Sequence, residues 1–240
     1  MDLSVVVPVR NEADNIEPLV SEIAAALDGV CDYEIIYVDD GSTDATPERL
    51  RATGERFPRL RVLHHRHSCG QSTAVLTGVR AASAPWVATL DGDGQNDPAD
   101  IPSLLAAVQD PQRSNGLAMA IGHRQKRRDT WWRRRSSRIA NGIRSRLLHD
   151  DTPDSGCGIK VFSREVFLTL PYFDHMHRFL PALVHRAGGR VVSVPVNHRP
   201  RTRGESKYGT LDRLWVGITD LLGVMWLQRR AKRPIISEVE

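Results

Sequence analysis

The chain has 240 residues, of which 40% are hydrophobic and 26% are charged, and its formal net charge is +4. This composition is that of an ordinary globular protein and excludes a disordered or fibrous chain, while the length fits one large domain better than two. Three widely separated cysteines in no metal-ligand spacing indicate reduced thiols rather than a disulfide framework.

Short apolar runs rich in β-branched residues predict five strands in the first half, at residues 3–9, 33–38, 60–63, 86–90 and 117–121. A helical pattern follows each of the first four runs, and Thr46 with Pro47 marks the start of one such helix. Strands that alternate with helices favour a parallel sheet covered on both faces. The sequence therefore predicts an α/β fold with a mostly parallel central sheet and helices on both faces.

The second half of the chain is less regular. A basic segment containing Trp131 and Trp132 precedes a helix-like stretch at 136–148, and further strands are predicted at 158–162 and 190–196. The last helix is amphipathic with a broad apolar face, and it runs into a basic segment. We expect a single domain over residues 1–228, followed at 229–240 by a tail that is first basic and then acidic.

Neither a signal peptide nor a membrane span is expected. The amino terminus enters its first apolar run without a basic region or a cleavage site. The longest apolar-rich stretch, at 214–227, carries Asp220 and is shorter than the span of about 20 apolar residues that crosses a bilayer. These features predict a cytoplasmic protein.

Polar residues follow three of the predicted strands, at 8–12, 39–42 and 91–95. Each group alone could be a turn or a helix cap. Open α/β sheets bind ligands at the carboxyl ends of their strands, so we expect the three groups to converge on one crevice.

The third group has the composition of a site for a hard cation. Asp91, Asp93 and Gln95 offer carboxylate and amide oxygens, which suit Mg²⁺ or Mn²⁺. A calcium loop begins similarly, but here Asn96 replaces its glycine and Pro102 replaces its final glutamate. The chain contains neither a P-loop nor a dinucleotide fingerprint, so neither of these motifs binds a phosphate here. The absence of a helical histidine pair disfavours a zinc site, and the absence of G-x-S-x-G disfavours a serine hydrolase.

Phosphate groups would then be held by the metal and by basic side chains. Candidates are Arg124, the cluster from Arg133 to Arg138 and the loop at 199–207, because arginine and lysine suit phosphate oxygens. The interleaved Trp131 and Trp132 favour a membrane interface over a solvated charged face. No recognition helix, zinc spacing or aromatic platform is present, so no nucleic-acid partner is expected.

Five sequence blocks lie in the order of a known family, at residues 5–12 (VVVPVRNE), 38–44 (VDDGSTD), 70–78 (GQSTAVLTG), 91–98 (DGDGQNDP) and 201–207 (RTRGESK). From Leu3 to about Leu227 the chain resembles the inverting family-2 glycosyltransferases. The resemblance is to the branch of dolichol-phosphate mannosyltransferase and its bacterial polyprenyl-phosphate relatives. It implies the GT-A nucleotide-diphospho-sugar transferase fold. The chain departs from this family at His67, where relatives often carry Asn, and in lacking the hydrophobic carboxyl-terminal spans of many bacterial members.

The resemblance also implies roles for individual residues. The nucleotide would be bound by Pro8, Arg10, Glu12, Asp39, Asp40, Asp91 and Gly92, with Glu12 facing the ribose and Asp40 contacting the base. The metal, Mg²⁺ or Mn²⁺, would be held by Asp91, Asp93 and Gln95. The implied catalytic residues are Asp93, Arg124, Asp154, Arg201 and Lys207. The acceptor phosphate would be bound by Arg134, Ser137, Arg138, Arg201 and Lys207.

We therefore expect transfer of one sugar, with inversion, from a nucleotide sugar to a polyprenyl phosphate. Uridine and guanosine donors both fit. The protein would be peripheral on the cytoplasmic face of the membrane, where Trp131, Trp132 and the last helix contact lipid or a separate membrane-embedded subunit. A homodimer is also compatible with the sequence.

Two alternatives remain open. One is transfer to a hydroxyl acceptor, which requires a base such as Asp154. The other is a basic, non-catalytic module that binds membrane or nucleic acid.

Overall fold

The computed structural model describes residues 1–110, 112, 116–124, 142, 144–200 and 210–232, with side chains from 217 onward in the last range. Its strands are β1 (Leu3–Val9), β2 (Tyr33–Asp39), β3 (Leu60–His64), β4 (Trp86–Thr89), β5 (Leu117–Arg124), β6 (Lys160–Ser163) and β7 (Arg190–Val196). They form one seven-stranded sheet in the order β3-β2-β1-β4-β6-β5-β7.

Six of the seven strands run in the same direction. β1 is parallel to β2 and β4, β2 is parallel to β3, and β5 is parallel to β7. β6 is antiparallel to both of its neighbours, β4 and β5. The prediction of a mostly parallel α/β sheet is confirmed.

The helices are α1 (Ile16–Leu27), α2 (Thr46–Arg56), α3 (Gln71–Ala81), α4 (Ile101–Gln109), α5 (Arg164–Thr169), α6 (Leu180–Ala187) and α7 (Thr210–Arg229). α1 contacts α2 and α4, whereas α3 packs on β1 and β2 and contacts α5, which contacts α6. α7 packs against α6. Both faces of the sheet are therefore covered, as predicted.

Burial follows from this layering. All seven residues of β1 and of β2 are buried, because strands covered on both faces read as continuous apolar runs. The edge strands β3 and β7 are mostly exposed or half-buried instead, and each has a single buried residue, Leu60 in β3 and Val196 in β7. The core is thus centred on β1 and β2, whose carboxyl ends carry two of the three polar groups.

Several predicted elements differ in detail. β5 continues to Arg124, so this residue lies at a strand end, and β6 begins at Lys160 rather than at residue 158. Residues 144–148 are helical, and most of the predicted 136–148 helix lies outside the described residues. In the part of the chain that the structure describes, no helix is long and apolar enough to cross a membrane.

Candidate active site

The three polar groups meet at one edge of the sheet, as predicted. The Asp40 amide donates to the Val9 carbonyl at 2.9 Å, which joins the ends of β2 and β1. Gly92 packs so closely on Val9 that an added Cβ would lie 2.3 Å from Val9 Cγ1. Only glycine allows this approach of the acidic turn, Asp91–Gln95, to the end of β1.

Asp91 is held on three sides. Gln71 Nε2 donates to Asp91 Oδ1 at 2.8 Å, and the Asp91 amide donates to Asn96 Oδ1 at 3.0 Å. On the third side an added Cβ on Gly158 would lie 2.1 Å from Asp91 Oδ2, so the carboxylate rests directly on backbone. The position of Asp91 therefore depends on α3, on its own turn and on the residues before β6.

The acidic turn fits a hard divalent cation. Burial raises the pKa of Asp91, and repulsion from Asp93 raises it further. Asp93 Oδ1 accepts from the Gln95 amide at 3.1 Å, so these residues form one compact turn. A cation would relieve the repulsion between the two carboxylates, and oxygen ligands of this kind suit Mg²⁺ or Mn²⁺.

Asp40, which is predicted to contact the base of the nucleotide, is buried and accepts four hydrogen bonds. Its Oδ1 accepts from the Cys69 amide and pairs with His65 Nδ1, both at 2.8 Å. Its Oδ2 accepts from Ser68 Oγ at 2.7 Å and from the Gly70 amide at 2.9 Å. The carboxylate thus holds the loop before α3, and its contact with a base stays a prediction.

The other proposed nucleoside residues surround the same edge. Asp39 is buried, and its carboxylate accepts from the Ser42 amide at 3.0 Å and pairs with His64 Nδ1 at 2.8 Å. Pro8 is buried within β1, and Arg10 is exposed just beyond it. Glu12 is half-buried, and its Oε2 accepts from Asn15 Nδ2 at 2.7 Å.

Arg124 and Asp154 form a two-pronged ion pair. Arg124 Nε and Nη2 lie 2.6 and 2.7 Å from the two carboxylate oxygens of Asp154, which is buried. Bidentate arginine–carboxylate pairs are strong and fix both side chains. Asp154, the predicted base for a hydroxyl acceptor, is therefore bound to Arg124.

The remaining predicted phosphate ligands lie outside the described residues: Arg134, Ser137, Arg138, Arg201 and Lys207. The chain that leads to residues 201–207 is described, however. The Arg199 amide donates to the Gln95 carbonyl at 3.0 Å, and His198 forms an antiparallel bridge with Asn96. Residue 201 therefore follows a segment that is bonded to the acidic turn.

Sequence reasoning missed three polar residues near this turn. Lys160 is buried, its ammonium donates to the Cys157 carbonyl, and it interacts electrostatically with Asp91 and Asp154. Burial lowers the pKa of Lys160. A lone lysine in a predicted strand was its signal, because lysine is almost never fully buried without a partner.

The other two are Gln71 and His177. His177 Nδ1 lies 2.8 Å from Ser72 Oγ in the first turn of α3. Burial lowers the pKa of His177 to about 3, so the imidazole is neutral. Gln71 lay within the block 70–78, but only the fold shows that its amide reaches Asp91.

A sequence model of the family described as Glycosyl transferase family 2 matches residues 4–170. The chain belongs to this family. The matched range contains the acidic turn, Gln71 and both members of the Arg124–Asp154 pair, so the site described above lies within the family's domain.

Two curated relatives illustrate what this family-2 glycosyltransferase is similar to. The dodecaprenyl-phosphate galacturonate synthase of Rhizobium johnstonii is 36% identical over 239 residues, 98% of this chain and 69% of the relative. The undecaprenyl-phosphate 4-deoxy-4-formamido-L-arabinose transferase of Edwardsiella ictaluri is 36% identical over 212 residues, 87% of this chain and 63% of the relative. The chain thus spans about two thirds of their length.

Solved structures show the fold of this family-2 glycosyltransferase. Glucosyl-3-phosphoglycerate synthase from Mycobacterium tuberculosis, in complex with uridine diphosphate, superposes with a TM-score of 0.70. It is 20% identical, and the alignment covers 95% of this chain and 79% of that one. The same enzyme with Mn²⁺, UDP-glucose and glycerol 3-phosphate gives a TM-score of 0.66 at 22% identity. The GT-A fold expected from the sequence is confirmed.

Proposed function

We propose that this family-2 glycosyltransferase moves a single sugar, with inversion, from a nucleotide diphosphate sugar to a polyprenyl phosphate. The observation that carries the proposal is the ion pair between Arg124 and the buried Asp154, because it engages the carboxylate that a hydroxyl acceptor would need as a base. The names of both curated relatives specify polyprenyl phosphates, which supports this acceptor class.

On the donor side, Asp91, Asp93 and Gln95 would hold Mg²⁺ or Mn²⁺, which supplies positive charge to the diphosphate as it leaves. Gln71 orients the Asp91 carboxylate, and Gly158 leaves room for it. The nucleoside would lie against the ends of β1 and β2. Placement of these groups before the reaction is itself a large part of catalysis.

On the acceptor side, a phosphate monoester has a second pKa of about 6 and is already ionised near neutrality. One of its oxygens forms a bond to the anomeric carbon as the bond from that carbon to the diphosphate oxygen breaks. The nucleoside diphosphate takes the electron pair, and no proton has to be removed. The cationic residues Arg134, Arg138, Arg201 and Lys207, together with Ser137, would position and neutralise the acceptor phosphate.

A polyprenyl phosphate is carried by a membrane, so the protein would work as a peripheral enzyme on its cytoplasmic face. A separate membrane-embedded subunit and a homodimer belong to the same proposal. The described residues are compatible with a peripheral protein because their last helix keeps large apolar side chains exposed.

The decisive experiment compares undecaprenyl phosphate with undecaprenol as acceptors. Purified protein is given Mn²⁺ and a panel of radiolabelled UDP- and GDP-sugars, and labelled lipid is extracted and counted. We expect product with the phosphate and none with the alcohol. Equal transfer to the alcohol would favour the hydroxyl-acceptor alternative, and no turnover of any donor would favour a binding module.

A further inference from the structure

Helix α7 differs from the usual surface helix because it carries apolar residues on its outward side as well as on its inward side. Asp220, the only acid between residues 217 and 232, has a side chain that is 17% exposed, and its Oδ2 lies 3.3 Å from His175 Nδ1. Val224 is fully buried on the same side. The opposite, outward side also carries large apolar residues, whereas a helix facing water normally presents polar ones there.

Three residues form this outward apolar row: Ile218, Leu222 and Trp226. They are 41%, 61% and 59% exposed, respectively. Residues four apart lie on one side of a helix that has 3.6 residues per turn, so the three side chains are neighbours. The sequence predicted a broad apolar face, and the structure divides it between the core and this row.

Positive charge continues the row at its carboxyl end. Arg229, Arg230 and Lys232 are exposed, and the guanidinium of Arg230 lies 5.9 Å from the centre of the Trp226 ring. Between Ile218 and Lys232 the outward side carries no carboxylate, because Asp220 faces His175. An indole beside cations, next to aliphatic side chains, is typical of segments that lie in the interface of a bilayer.

We propose that the row Ile218–Leu222–Trp226, with Arg229 and Arg230, is the face by which the protein rests on an anionic lipid surface. The occupant is the bilayer because the row combines apolar side chains with net positive charge, which complements acidic headgroups. A second copy of the chain would present the same positive charge to itself. This inference rests on the proposed function, because that function makes the acceptor a lipid held in a membrane.

A short series of contacts ties this face to the acidic turn. His175, the partner of Asp220, is near Tyr172 and His177, which contact Thr73 at 2.6 Å and Ser72 at 2.8 Å in α3. The neighbouring Gln71 binds Asp91. Docking of α7 on lipid would therefore set the height of the donor site above the surface that carries the acceptor.

The test is flotation with vesicles of phosphatidylcholine mixed with phosphatidylglycerol. The variant Ile218→Gln/Leu222→Gln/Trp226→Gln keeps good helix formers at exposed positions, and it should bind these vesicles roughly a hundredfold more weakly than the wild type. The control Val30→Gln changes an apolar residue that is also exposed, at 56%, but lies in the turn between α1 and β2. It should bind vesicles like the wild type. Arg229→Gln/Arg230→Gln should lose about tenfold on the mixed vesicles and little on phosphatidylcholine alone.

Circular dichroism and thermal unfolding verify that each variant is folded, and Leu222→Gln alone replaces the triple variant if that one is not. Equal vesicle binding by wild type and row variant would overturn the proposal. So would a row variant that changes only the oligomeric state in light scattering, because the row would then contact a second copy.

Turnover of a short-chain, water-soluble prenyl phosphate separates this proposal from the proposed function. We expect the row variant to keep that turnover while losing vesicle binding. If the wild type binds vesicles through the row but glycosylates no prenyl phosphate, the function fails and the lipid-binding face stands.

Discussion

The side-chain amide of Gln71 donates a hydrogen bond to Asp91 Oδ1 at 2.8 Å and so joins the first turn of α3 to the acidic turn. The residue before it, Gly70, donates its amide to Asp40 Oδ2 at 2.9 Å. The ends of β2 and β4 are therefore connected through two consecutive residues at the start of α3. Groups that orient a metal ligand commonly matter almost as much as the ligand itself.

Gln71→Ala should weaken Mn²⁺ binding roughly 10–100-fold, because Asp91 loses the donor that orients its carboxylate. Isothermal titration with Mn²⁺ measures the affinity directly. The control Gln109→Ala removes an exposed glutamine at the end of α4 and should leave it unchanged. Unaltered affinity in Gln71→Ala would show that this contact does not orient the ligand.

Gly158→Ala should displace Asp91, because its Cβ would lie 2.1 Å from Asp91 Oδ2 and 2.5 Å from Asn96 Oδ1. We expect a lower melting temperature and loss of Mn²⁺ binding. The matched control is Gly54→Ala within α2, where an added Cβ meets nothing within 4 Å. That change should stabilise the protein by about 0.5–1 kcal/mol, since alanine is the better helix former.

Calorimetric unfolding of the two alanine variants, with and without Mn²⁺, measures both their melting temperatures and their metal binding. If Gly158→Ala bound Mn²⁺ with wild-type affinity, metal binding would not depend on the close packing of Gly158 against the Asp91 carboxylate.

The convergence of the strand ends could be predicted from sequence because parallel strands end at one edge of the sheet. Residues 8–12, 39–42 and 91–95 follow apolar runs directly, and β1 and β7 were located at their observed bounds. The pattern is local, so a single sequence suffices to read it.

The contacts that organise the site could not be predicted in the same way. Asp40 is held by the loop at 65–70, which comes from the end of a different strand, and Gly158 and Lys160 approach Asp91 only because antiparallel β6 lies beside β4. The side of α7 that packs inward depends likewise on His175, which lies in a distant segment. Such pairings depend on tertiary structure and leave no periodic signal.

Asp40 should make the protein sensitive to acid. Burial by itself raises the pKa of Asp40, but hydrogen bonds from Cys69, His65, Ser68 and Gly70 outweigh it and lower the pKa. Since an unfolded aspartate has a pKa of about 3.9, this carboxylate stabilises the folded protein above that pH. The stabilisation is lost as the pH falls through the lower, folded-state value.

Urea unfolding between about pH 7 and pH 3 should therefore show Asp40→Asn to be about 1–3 kcal/mol less stable than the wild type at neutral pH. The difference should shrink in acid. Asp151→Asn is the control, because Asp151 is exposed with a φ of 44° that asparagine tolerates well. A pH-independent difference for Asp40→Asn would refute the electrostatic origin.

Disruption of the Arg124–Asp154 ion pair should lower the stability of the protein more than it lowers the rate of sugar transfer. Asp154→Leu leaves the guanidinium of Arg124, whose side chain is only 16% exposed, without its carboxylate, and we expect a loss of about 3 kcal/mol in the free energy of unfolding. The double variant Arg124→Met/Asp154→Leu should recover part of that loss, because the guanidinium is removed together with its carboxylate. If Asp154→Asn instead abolished turnover with unchanged stability, Asp154 would be acting as a base.

Asp93→Ala should abolish sugar transfer and leave the protein folded, because it removes a carboxylate from the partly exposed acidic turn. In the wild type, Mn²⁺ at about 100 times its dissociation constant should add about 2.7 kcal/mol of stability, and the variant should gain almost none. Glu55→Ala, an exposed change on α2, should respond to Mn²⁺ like the wild type. The stability readout tests metal binding apart from activity, so retained Mn²⁺ stabilisation in Asp93→Ala would place the metal elsewhere even if transfer were lost.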